Sequence, residues 1–194
     1  MGRKTSGTSP NMRTVTNDTV INEPSLTAGE VEMLLFALDR SRATFAWKTG
    51  GLDAAALNRP HPPSTMTLAG LIKHLTRVEE ETAAWRLFGE RPTPPWDTAE
   101  HGWEWEAAAD DTPDELYTRW REAVARTRAA VAKVLADGGL DRPAGFTVTE
   151  DGQSPNVRRI LVDVHDEYAR HVGHADLFRE AIDGLVGEDP PQPD

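Results

Sequence analysis

Two stretches of the chain carry side chains able to bind a metal or move a proton. "VHDEYARHVGHADLFREAIDG", Val164 to Gly184, holds His165, Glu167, His171 and His174, and "LIKHLTRVEEE" holds His74. At about 100° per residue, Ile160, Val164, His171, Ala175, Phe178 and Ile182 fall within roughly 40° of one another, so His171 sits in the middle of an apolar stripe. Glu167 lies one turn before it and His174 just under one turn after, both on one shoulder and within reach of a common point. His165 points about 120° away, toward solvent. The same arithmetic aligns His74 with Thr67, Leu71, Val78 and Trp85, which gives a second inward imidazole on a second helix.

Burying a polar ring without a partner costs on the order of 1 to 3 kcal/mol, and a buried carboxylate costs more unless it is paired or coordinated. A divalent metal bound by three side chains satisfies these groups together; a His/Glu hydrogen-bond network without metal is the alternative. The chain has 0 cysteines, so any metal must be held by His, Asp or Glu, and any reactive sulfur must arrive on a cosubstrate. Three protein ligands leave a coordination position open, the arrangement of a catalytic rather than a structural metal.

The elements that must position these groups read as four helices. The first is capped at Thr27, where "TAGE" offers a capping box with Glu30, and runs through Leu34, Leu38 and Phe45 to "TGG". The second follows the Pro-rich "NRPHPPST" and repeats Leu68, Leu71, Ile72, Leu75, Val78 and Trp85 at helical spacing until Gly89. The third opens on "TPDE", with a cap at Thr112 and Pro113 at the first helical position, and ends at "DGG". The fourth runs from about Pro155 to Gly184. Four helices with almost no strand pattern predict an all-α four-helix bundle with long crossover loops. The connections, roughly 17, 24 and 18 residues, exceed those of an up-down bundle. The second carries Trp96, Trp103 and Trp105, which must cover something apolar: either the end of the bundle or a ligand pocket, as a lid. "GFTVTEDGQ", from Gly145, has a short β-like alternation that suits a hairpin or an extended crossover.

Two of these segments carry a resemblance. "MTLAGLIKHLTRVEEETAAW" on the second helix, with "DEYARHVGHADLFREAIDG" on the fourth, resembles the DinB-like superfamily over roughly residues 27 to 184, and most closely its actinobacterial members. The resemblance implies a bundle of unusual connectivity with a divalent metal, zinc or nickel, held by one His of helix two and two ligands of the last helix. It also implies relatives that are thiol-dependent enzymes, among them mycothiol-dependent maleylpyruvate isomerase and bacillithiol S-transferases. Carried across, His74 matches the helix-two ligand. On the last helix Glu167 and His171 satisfy the usual spacing of four, whereas "HADLF" resembles the sequence that follows the final ligand and favours His174. His74, His171 and His174 rank first as the triad, with Glu167 as a fourth ligand or an orienting acceptor.

The function implied is transfer of a low-molecular-weight thiol, mycothiol as cosubstrate, to a small electrophile. Arg77 and Arg170 are candidates for an anionic cosubstrate, or are simply solvated. A metal-dependent hydrolase and a non-catalytic metal- or ligand-binding bundle, with a homodimer through bundle faces as its candidate assembly, are the alternatives. The net charge of −11 and the absence of a Lys/Arg cluster argue against nucleic acid. With no apolar run of roughly 20 residues and no leader-like start, the chain reads as cytoplasmic and not bound to a membrane. Residues 1–24 read as a flexible arm, 25–186 as the bundle and 187–194 as a disordered tail.

Overall fold

The computed structural model describes residues 17–148 and 152–193. Six α-helices appear in it: α1 (Glu30–Thr49), α2 (Ala54–Leu57), α3 (Leu68–Glu81), α4 (Trp103–Glu106), α5 (Pro113–Ala136) and α6 (Val157–Asp183). The four long ones are the expected helices, and among the described residues there is no strand, only the isolated bridges His61–Ser64 and Pro143–Asn156.

Helix starts follow their side-chain caps. The Thr112 hydroxyl accepts from Glu115 N–H while the Glu115 carboxylate accepts from Thr112 N–H, the reciprocal box expected ahead of Pro113. Thr67 caps α3 through Gly70 N–H, and Asn156 caps α6 through Arg159 N–H, so α6 begins at Val157 rather than Pro155. At α1 the expected cap does not form. Thr27 is drawn into a local turn with Ser25, whose carbonyl accepts from Ala28 N–H, and the helix begins at Glu30 behind an uncapped Gly29. Glu30 instead holds Arg158 of α6.

The second helix does not run to Gly89 in one geometry. After Glu81 it widens into a π turn, Thr82–Arg86. There the chain after α5 crosses it at backbone contact: Gly145 N–H donates to the Arg86 carbonyl at 3.1 Å, and a Cβ on Gly145 would lie 2.0 Å from the Gly89 nitrogen. Further along, Val148 N–H donates to the Gln153 carbonyl; residues 149–151, in the middle of the expected hairpin or crossover, lie outside the described residues.

α1 packs extensively on α6 and α3 on α5, while the α3–α6 seam between the two pairs is thinner. Leu38, Phe45, Leu71, Leu75, Val131, Ile160 and Val164 fill the interior. One side chain from each long helix meets at its centre. Arg42 of α1 donates through Nε and Nη2 to both oxygens of Glu79 on α3, each at 2.8 Å. Tyr168 of α6 donates to Glu79 Oε1 at 2.8 Å and accepts from Trp120 Nε1 of α5 at 2.9 Å. Burial pulls the Arg42 guanidinium toward neutrality, but the Glu79 charge outweighs it and keeps Arg42 firmly protonated. Burial, reinforced by Glu79, pushes the Tyr168 phenol well above its usual value.

The two segments set apart from the bundle in sequence make contacts where they are described. Gln192 bonds to Thr19 O and Ile21 N–H, Arg121 of α5 pairs with Asp18, and Asp189 pairs with Arg40 of α1. Residues 1–16 lie outside the described residues.

Candidate metal centre

α3 and α6 meet at His74, Glu167 and His171. Each offers one ligand atom, and the three atoms lie within 4.8 Å of one another. The Glu167 carboxylate faces both rings: Oε2 is 3.6 Å from His74 Nε2 and 3.4 Å from His171 Nε2. Both imidazoles therefore turn the same nitrogen toward one point.

The opposite nitrogens are occupied. His74 Nδ1 lies 3.3 Å from Glu104 Oε1 of α4. Glu104 is 2% exposed; burial pushes its carboxyl up, but hydrogen bonds from its own backbone, Arg77 and His74 outweigh this and hold it below its usual value. An ionised carboxylate only accepts, so the Glu104 contact favours the tautomer with the proton on His74 Nδ1, in which Nε2 presents a lone pair. His171 Nδ1 is 3.2 Å from His174 Nδ1. Burial, aided by His74, His174 and Arg170, lowers the pKa of His171 to about 4, so this ring is neutral near pH 7.

The donor set fits a divalent cation. Two imidazole nitrogens directed at one carboxylate form an electron-rich cluster, and a cation at their common point would satisfy all three. Of the four candidates from sequence, the structure brings His74, Glu167 and His171 together, while His174 meets this group through the far nitrogen of His171. His165 is not in the group.

The Trp-rich connection walls the site. Trp105 stacks on the His74 ring with centroids 4.7 Å apart, and Trp96 is buried edge-on to Trp103 at 5.8 Å. Neither arginine singled out in sequence points to a free anion site. Arg77 is engaged with Glu81, Glu104 and the Glu100 carbonyl, and Arg170 pairs with Asp166 on the surface. Sequence reasoning missed Glu104: it sits in a connection without hydrophobic period, and only the tryptophans flanking it marked the segment.

A family model described as mycothiol-S-transferase matches residues 33–184, which include both halves of the site. The chain belongs to the mycothiol S-transferase family. That family lies within the DinB-like superfamily, so the resemblance carried by the His74 and His171 segments holds over residues 33–184. Comparison with curated proteins found no match. As a member of this family the chain stands among thiol S-transferases, and its helices have the all-α architecture that the superfamily implies. No helix among the described residues of this mycothiol S-transferase family member is long and apolar enough to cross a membrane.

Proposed function

We propose that the chain is a divalent-metal-dependent S-transferase that joins the sulfur of a low-molecular-weight thiol, mycothiol, to a small electrophile. His74, Glu167 and His171 are its metal ligands, and zinc or nickel suits the set. The observation that carries this reading is the convergence of two Nε2 atoms on the Glu167 carboxylate, in a member of a thiol-transferase family.

A divalent ion there supplies Lewis acidity that lowers the pKa of a thiol by several units. The chain's own residues prepare the place. Glu104 favours the His74 proton on Nδ1, and in the tautomer in which His171 Nδ1–H donates to His174 Nδ1 both Nε2 lone pairs are directed inward. Burial keeps His171 neutral. Trp105 covers one side of His74 and excludes water from it. With 0 cysteines in the chain, the nucleophilic sulfur belongs to the cosubstrate.

The test pairs composition with activity. Purified protein reconstituted with zinc or nickel should retain about one ion per chain and consume a chromogenic halo-aromatic electrophile only when mycothiol is supplied. His74→Ala, Glu167→Gln and His171→Ala should lose the ion and lower that rate by roughly 100-fold or more. Turnover without thiol would instead identify a hydrolase, and full metal content in both histidine variants would refute the ligand assignment.

A further inference from the structure

The face of α3 that carries His74 is also the landing strip for the Trp-rich connection. Gly70, Lys73, His74 and Arg77 follow one another at i, i+3, i+4 and i+7, and each holds part of that segment. Trp105 packs so close to Gly70 that a Cβ there would lie 2.9 Å from the indole. Lys73 Nζ donates to the Ala107 carbonyl at 3.0 Å and to Asp111 at 2.7 Å, and lies over the Trp103 ring at 4.3 Å. Arg77 Nη1 donates to the Glu100 carbonyl at 3.0 Å and to Glu104 Oε2 at 2.8 Å. His74 contributes both its Nδ1–H, toward Glu104, and its ring face, toward Trp105.

We propose that Glu104 is a positioning residue of the metal centre and that, through it, docking of the Trp103–Glu106 segment on α3 and metal binding at His74 form one linked equilibrium. The inference rests on His74 being a ligand. With the segment docked, a buried carboxylate fixes the ring's tautomer and rotation and raises the basicity of Nε2. With it undocked, Glu104 is hydrated, His74 can rotate and carry its proton on Nε2, and that proton must return to Nδ1 before Nε2 can bind metal. Because linkage is reciprocal, the factor by which docking tightens metal binding equals the factor by which metal favours docking.

The experiment measures zinc affinity by competition with a chromophoric chelator, and amide exchange over residues 102–107 with and without zinc. In the wild type, zinc should slow exchange across this segment. Glu104→Gln, which leaves Arg77 paired with Glu81, should bind zinc roughly 10- to 100-fold more weakly and lose most of that slowing. Gly70→Ala, which displaces Trp105 but keeps every charged group and ligand, should also weaken zinc binding. Unchanged helicity by circular dichroism confirms that both variants fold. Wild-type zinc affinity in both variants, or exchange over 102–107 indifferent to zinc, overturns the proposal. His74→Ala separates the two failures: if it binds zinc like the wild type, the ligand assignment itself is wrong, and if it alone loses zinc, only the linkage is.

Discussion

At the scale of single residues, the sharpest consequence concerns His171. In the unfolded chain an imidazole titrates near about 6.5, whereas in the folded protein burial holds His171 down to about 4. Between these values the unfolded state binds the extra proton. The stability carried by the neutral, buried ring is therefore complete above about pH 6.5 and is lost as the pH falls toward 4. In metal-free protein, moving from pH 7 to about 4.5 should cost the wild type about 2 kcal/mol more than His171→Asn, read from urea unfolding. Equal losses would show that His171 is not held neutral by the fold. His171 and His74 were legible in the sequence because an imidazole on an apolar helical stripe is anomalous. Arg42, Glu79 and Tyr168 were not: a charged residue looks solvated until its partners on other helices are known, and the partners of Glu79 lie 37 and 89 positions away. Between Glu167 and His174, spacing alone could not choose, since both sit one turn or less from His171; tertiary placement of His74 decides which one it faces.

At the scale of elements, the four long helices were readable from period and caps, and the structure departs from that reading at two places. Thr27 lost its capping role to a turn with Ser25, and the π turn at Thr82–Arg86 interrupts a stretch whose apolar period alone reads as one helix. No periodic signal reports a π turn, nor the backbone crossing beside it, which is supplied by residues almost 60 positions later. That crossing depends on the absence of a side chain at Gly145. Gly145→Ala would force a methyl to within 2.0 Å of the Gly89 nitrogen and 2.1 Å of the Phe88 carbonyl carbon. Both neighbours are backbone and cannot rotate aside, so the variant should lose about 3 kcal/mol or detach the 142–148 segment. Denaturant unfolding gives the first outcome, and faster amide exchange at Gly145, whose N–H bonds to Arg86, gives the second. A variant with wild-type stability and wild-type exchange would mean that the two backbones do not touch in solution.

At the scale of the molecule, the fold is two well-packed helix pairs, α1 with α6 and α3 with α5, joined across a thinner α3–α6 seam. Two polar clusters bridge that seam one helical turn apart. Tyr168 follows Glu167 directly in the chain, and Glu79 lies five positions beyond His74, so the buried hub and the candidate metal centre are adjacent layers of one interface. Their energetic roles differ. The Arg42–Glu79–Tyr168–Trp120 hub is satisfied by the chain alone, with the carboxylate fully paired. At the upper layer two imidazole Nε2 atoms face one carboxylate, and a cation bound there would satisfy all three together. Metal should therefore act as a clamp across a seam that already holds, unlike small zinc domains that unfold without their ion. A cation that binds only the folded chain adds RT ln(1 + [M]/Kd), about 2.7 kcal/mol at a hundredfold excess over Kd. For a chain of this length each kcal/mol moves the melting midpoint by about 2 to 4 °C, so zinc in that excess should raise it by roughly 5 to 10 °C over chelator-treated protein. Calorimetry should show one cooperative transition in both states and no zinc-dependent shift in His74→Ala. A chelated protein already unfolded at room temperature would mean that the hub does not hold the seam, and an identical midpoint with and without zinc would mean that α3 and α6 share no ion.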